Sequence, residues 1–174
     1  MPPLDATPGS GFQATLLAWT QQSLQVHLYA NATFLAERLH AQAPSEASLH
    51  VLATCHFSAG AKQRAYRLLQ GCASPQNRYL LAMCCLDLGH VSEAERVLLA
   101  DAPLDADAAT VASCVPHGAS GVYILGVLCM RSQRRTQAGA YFAEAIKLNP
   151  FLWSAYEGLC QLGIPPPDLG EGAA

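Results

Sequence analysis

The chain has 174 residues, of which 51% are hydrophobic and only 13% charged, with a formal net charge of −3. Its apolar content excludes intrinsic disorder over most of its length, and ten basic against thirteen acidic residues leave no footprint for a nucleic-acid partner. The longest apolar run, Val122 to Met130 with Gly126 inside it, covers nine residues where a membrane span needs about 20.

Residues 1–11 are proline-rich, lack the charged and apolar regions of a signal peptide, and are expected to be disordered. Phe12, Leu16, Leu17, Trp19 and Leu24 then place apolar residues on an amphipathic first helix. Ser45 reads as an N-cap, and Ser74-Pro75 as an N-cap followed by proline at the first helical position. Breaks at Pro44, Gly60, Gly71 to Pro75, Gly89 and Asn149-Pro150 divide the chain into short helical segments joined by tight turns. That pattern predicts antiparallel helix pairs. The stretch 101–118 carries Asp101, Pro103, Asp105, Asp107 and Pro116, a loop composition, and Ser120 is expected to cap the helix that follows. Phe151 to Gly163 forms a further helix, and the proline-rich tail 164–174 is expected to be disordered.

The segments repeat. Arg64-Ala65-Tyr66-Arg67-Leu68-Leu69 resembles Glu93-Ala94-Glu95-Arg96-Val97-Leu98, each after a glycine that closes a helix containing Leu-Ala. Leu125, Gly126, Ala138, Phe142, Ala145 and Pro150 match all six small and apolar positions of the 34-residue tetratricopeptide (TPR) pattern. The small residues permit close crossing of the two helices in each repeat. The equivalent alanines, Ala32, Ala65, Ala94 and Ala138, are separated by 33, 29 and 44 residues. The sequence therefore predicts an all-α TPR solenoid spanning 12–163, about four repeats plus a capping helix, with an insertion at 101–118.

Catalytic and metal chemistry find no set of residues. His117-Gly118-Ala119-Ser120-Gly121 lacks the spacing of a nucleophile elbow and its strand. No His/Cys pair shows zinc-ligand spacing, and Glu37, Glu93, Glu95 and Glu144 fall on second helices of repeats, on expected solvated faces. The seven cysteines form no disulfide framework, and buried thiols act as small hydrophobes. Cys55 and Cys84 share one repeat position, as do Cys85 and Cys129. No catalytic residue, metal or cofactor is expected.

Binding is the better-supported function. Helix positions that line the concave face of a TPR array are Ala47, His50, Thr54 and Phe57 in the second repeat. They are Gln76, Tyr79, Met83 and Leu86 in the third, and Ser120, Tyr123, Val127 and Met130 in the fourth. None carries a full charge, so no Lys/Asn clamp for a carboxylate is present. An apolar, aromatic groove formed by Phe57, Tyr79, Met83, Leu86, Tyr123, Val127 and Met130 suits an amphipathic helix.

Ala32-Thr-Phe-Leu-Ala-Glu-Arg-Leu39, Leu52-Ala-Thr-Cys55, Ala65-Tyr-Arg-Leu-Leu69, Tyr79-Leu-Leu-Ala82 and Asn149-Pro-Phe-Leu-Trp-Ser154 with Tyr156-Glu157 occur in this order. In this combination the chain resembles the N-terminal region of the subunit-three TPR scaffold family of the anaphase-promoting complex (cyclosome). That resemblance implies a non-enzymatic, homodimerising scaffold of a ubiquitin ligase in mitotic progression, partnered by other subunits and found in nucleus and cytoplasm. It implies no small-molecule substrate. The family's tail-binding residues have no counterpart here. The alternative is a stand-alone TPR adaptor that binds a foreign amphipathic helix.

Overall fold

A computed structural model describes residues 10–167. Among them lie ten α-helices and no strand: α1 Ser10–Gln25, α2 Tyr29–Gln42, α3 Glu46–Ser58, α4 Lys62–Leu69, α5 Pro75–Leu88, α6 Val91–Leu98, α7 Ala108–Cys114, α8 Ala119–Arg131, α9 Arg135–Leu148 and α10 Trp153–Leu162. Four helix pairs, α1/α2, α3/α4, α5/α6 and α8/α9, are the expected repeats, and α10 is the added helix. No helix among the described residues is long and apolar enough to cross a membrane. The disorder expected for 1–11 and 164–174 concerns mostly residues outside those described. Within them, α1 already includes Ser10 and Gly11, and 164–167 form no regular element.

The turn inside each repeat is built in one way. His27, Gly60, Gly89 and Gln133 take left-handed backbone conformations, with φ of 59°, 79°, 81° and 59°. The next residue donates its N–H back across the turn: Leu28 to the Ser23 carbonyl at 2.8 Å, Ala61 to His56 at 2.9 Å, His90 to Cys85 at 2.8 Å, and Arg134 to Cys129 at 2.9 Å. These bonds satisfy carbonyls that the helix end would otherwise orphan. Five residues after each left-handed position stands a fully buried alanine: Ala32, Ala65, Ala94 or Ala138. Gly163 and Ile164 repeat the turn after α10, with Ile164 N–H bonded to Leu159 O at 3.0 Å.

The chain divides into two compact units at Asn77, α5 beginning in the first and continuing in the second. In the first, Ala32, Ala36, Leu52 and Cys55 form a buried cluster against which Leu24, Val51 and Leu68 pack. Ser45 caps α3 reciprocally: Ser48 N–H donates to Ser45 Oγ, and Ser45 N–H to Ser48 Oγ, both at 3.1 Å. On α1, Leu16 is buried, whereas Phe12 and Trp19 remain more than half exposed.

In the second unit, α8, α9 and α10 meet around the buried Phe142 ring. A methyl group on Gly126 would lie 2.5 Å from that ring and one on Gly158 2.6 Å, so the two glycines hold its opposite edges. The stretch read as a loop contains α7, a correction with a clear local cause. Asp107 caps it by accepting Thr110 N–H at 2.9 Å, and Val111, Ala112 and Val115 are buried as α7 packs on α8 and α9. Ser120 does not cap α8 as expected. Gly118 holds that position, and the Ser120 hydroxyl hydrogen-bonds the Tyr79 side chain instead.

Cys55, Cys84, Cys85 and Cys129 are buried, Cys72 and Cys114 half-buried, and Cys160 exposed. Burial pushes the Cys55 and Cys129 thiols up to about 11.

Three outcomes follow. Gly126→Ala should destabilise the protein by about 1–3 kcal/mol, since the Phe142 ring cannot yield within a packed core, while Gln137→Ala on the surface should leave the thermal melt unchanged. Gln133→Gly should raise stability by about 1 kcal/mol and Gly60→Ala should lower it by a similar amount, because the left-handed conformation penalises a Cβ; equal melts for these two variants would contradict the shared turn. A bulky thiol reagent should modify at most Cys72, Cys114 and Cys160 in the native protein, and all seven cysteines once it is denatured, as counted by mass spectrometry.

Candidate protein-binding surface

Six of the seven expected groove residues, all but Phe57, lie in the second unit. Tyr79 and Met83 on α5 are half-buried, and Leu86 is buried, so Leu86 serves the core more than the surface. The Tyr79 ring lies 4.4 Å from the His117 ring, between centroids. Burial raises the Tyr79 hydroxyl above its ordinary range, against the lowering effect of Ser120, which keeps it a neutral hydrogen-bonding group. Tyr123, Val127 and Met130 on α8 are half-buried, with the Tyr123 ring 5.8 Å from Phe142.

These three α8 side chains line a pocket of about 210 Å³, floored by Phe142. Its other wall is supplied by Ser154, Glu157, Gly158 and Gln161 of α10. Inner-face positions of the repeats carry no charge, yet α10 brings an exposed carboxylate, Glu157, beside them. The wall is not legible in the sequence, where α10 reads only as a cover for the array. The same spacing on α10 that sets Gly158 on the Phe142 ring turns Ser154, Glu157 and Gln161 to one side, since residues three and four apart share a helix face. A second, shallower pocket of about 310 Å³ is formed by Pro150, Phe151, Trp153 and Tyr156.

In the first unit Phe57 is half-buried, with Lys62 Nζ 4.9 Å from its ring centre. Ala47, His50 and Gln76, three further inner-face positions, share a pocket of about 430 Å³ with Glu46 and Ser74. This surface is more polar than expected. Glu46 accepts the N–H groups of Ala73 at 3.1 Å and Ser74 at 2.8 Å, at the start of α5. Those bonds, the Ala73 one foremost, hold its carboxyl below the ordinary value. Asn77, fully buried, donates to the Glu46 carbonyl at 3.2 Å and faces His50 Nδ1 at 3.0 Å. With Nδ1 as the donor, His50 is left with Nε2 as an acceptor.

Of the four glutamates expected on solvated faces, Glu37 is exposed, whereas Glu93, Glu95 and Glu144 are partly covered. Glu95 is half-buried and forms a two-pronged pair with Arg134, at 2.8 and 2.7 Å. Glu144 is largely covered and accepts from Lys147 at 2.9 Å. Such forked pairing fixes geometry as well as charge. The six TPR signature residues lie on α8 (Leu125, Gly126), on α9 (Ala138, Phe142, Ala145) and just after it (Pro150). Five of the six, all but the half-buried Pro150, are buried.

Residues 25–100 match the family model of the anaphase-promoting complex, cyclosome, subunit 3. Over 150 residues the chain is 38% identical to the cell division cycle protein 27 homolog of Homo sapiens, covering 83% of this chain and 18% of that protein. It is 40% identical over 143 residues to the Arabidopsis thaliana cell division cycle protein 27 homolog A, covering 82% of this chain and 19% of that one. The chain thus spans less than a fifth of the length of these relatives. Two of the solved structures that share its fold carry related names. One is a Cdc27 N-terminus, with TM-score 0.71 and 20% identity, covering 91% of this chain and 71% of that chain. The other is in the hetero-tetramer Cut9-Hcn1, with TM-score 0.71 and 22% identity, covering 84% and 28%. On its repeat register and these matches together, the chain belongs to the cell division cycle protein 27 (anaphase-promoting complex subunit 3) family, as a relative of its N-terminal TPR region.

Proposed function

We propose that this chain is a non-enzymatic TPR scaffold and homodimerisation module of the anaphase-promoting complex, acting in mitotic progression in the nucleus and cytoplasm. The observation that carries this reading is the pairing of two unsatisfied apolar surfaces. Phe12 and Trp19 on α1 and Val26 just beyond its end stand seven residues apart, each more than half exposed, a spacing that forms one stripe. In the second unit Met83, Tyr123, Val127 and Met130 are half-buried on inner faces. A stripe from one copy entering the inner face of another makes an isologous, self-complementary contact. The subunit-three match over residues 25–100 supports placement in the ligase, with other subunits as further partners and no nucleic acid, membrane or small-molecule substrate.

A second reading has its own support. The α1 sequence contains no charged residue, so it offers no cation to Glu157 in the α8–α10 pocket. A foreign amphipathic helix bearing Lys or Arg would answer that carboxylate, as in a stand-alone adaptor.

Light scattering with circular dichroism separates these readings. Wild type should be a dimer at micromolar concentration. Trp19→Glu, or Met83→Glu with Val127→Glu, should give a helical monomer, since unpaired charge in a desolvated interface costs several kcal/mol. A monomeric wild type would remove the dimer and leave the adaptor. Double mutants that unfold instead of dissociating would assign Met83 and Val127 to packing within the chain.

A further inference from the structure

The turn between α5 and α6 gathers three metal-binding side chains that sequence spacing did not flag. Cys85 lies in the last turn of α5, His90 is the N-cap of α6, and Glu93 lies in its first turn. A sulfur, a ring nitrogen and a carboxylate oxygen from these residues all lie within 4.8 Å of one another. His90 Nδ1 stands 3.8 Å from Glu93 Oε2. The backbone beneath them is fixed, because Gly89 is left-handed and His90 N–H bonds Cys85 O at 2.8 Å.

We propose that Cys85, His90 and Glu93 form a binding site for a borderline divalent cation of the zinc class, with water in a fourth position. The donor set itself selects the metal: a thiolate disfavours magnesium and calcium, while sulfur, imidazole and carboxylate together suit zinc. Donors bound to zinc at about 2.0–2.3 Å stand roughly 3.5 Å apart, so the three groups need close by about an ångström. His90 can make that adjustment because 42% of its side chain is exposed. Arg96 lies 3.8 Å from the other Glu93 oxygen, Oε1, which is the outer contact a metal-bound carboxylate commonly has.

Equivalent positions in the other repeats argue that the set is not a by-product of the turn. They are Ser23, Leu28 and Asn31 in the first repeat, His56, Ala61 and Arg64 in the second, and Cys129, Arg134 and Gln137 in the fourth. Only the third repeat offers three donors, although all four fold the same turn. On binding, the Cys85 S–H bond breaks, an S–metal bond forms and the proton leaves to solvent. Because the thiolate must form for the metal to bind, binding releases this proton and strengthens as the pH rises.

Cobalt(II) serves as the spectroscopic probe, in the full chain with Cys72, Cys114 and Cys160 replaced by Ser and its fold verified by circular dichroism. One equivalent should produce a thiolate-to-cobalt charge-transfer band, displaced by zinc. His90→Ala, which alters a partly exposed side chain, should stay helical and lose the band, and Cys85→Ser should lose it too. Zinc should raise the melting temperature of the parent and leave that of His90→Ala unmoved. No band, or a band that survives in folded His90→Ala, overturns the site.

Discussion

The five-residue offset between a left-handed turn residue and a fully buried alanine governs every repeat of this chain. The turn reverses the backbone and spends its donors on the carbonyls of the helix just ended. The alanine then lets the second helix lie against the first with almost no side chain between them. Each half needs the other: without the turn the alanine would not face its partner helix, and without the small side chain the reversed helix could not close. Glycine meets the first requirement at positions 60 and 89, while His27 and Gln133 meet it at the cost of a strained backbone. The constraint is local to each pair, so α7 is accommodated between repeats, where the alanine spacing stretches to 44 residues.

In the second unit the same economy of side-chain size links core and surface. Phe142 fills the space that Gly126 and Gly158 leave empty, so α8, α9 and α10 share one aromatic ring as their common centre. Because Gly158 is committed to that ring, its neighbours on α10 reach the rim, and Glu157 and Gln161 face the half-buried Tyr123, Val127 and Met130. The pocket is therefore a consequence of how the last helix packs. Its polarity was decided by a helix whose evident role is to cover apolar surface.

Several of this chain's few charges serve its structure. Arg134 grips Glu95 with both prongs, Arg131 donates to the Leu86 carbonyl, and Arg78 pairs with Asp101. Glu46 holds the start of α5 through two backbone N–H groups. Exposed ion pairs contribute little to stability, but these join residues far apart in sequence and so specify which segments meet. Buried thiols complete the economy, filling the space beside the alanines with small apolar groups.

The repeat register was legible in the sequence because small side chains at helix crossings are a steric necessity, and the necessity leaves a residue type at a fixed spacing. Leu125, Gly126, Ala138, Phe142, Ala145 and Pro150 therefore announced both the helix pair and its contact. Ser45 and Pro75 likewise announced helix starts, since capping depends on neighbours within a turn. What depends on contacts distant in sequence was not legible. Asp- and Pro-rich composition concealed α7, whose burial requires α8 and α9 to be already in place. Glu95 looked solvated because its partner, Arg134, lies 39 residues away. The wall opposite Val127 and the meeting of Cys85, His90 and Glu93 were likewise decided only when one helix turned back upon another. Spacing along a chain records local geometry, whereas proximity across a turn or between helices exists only after the chain has folded.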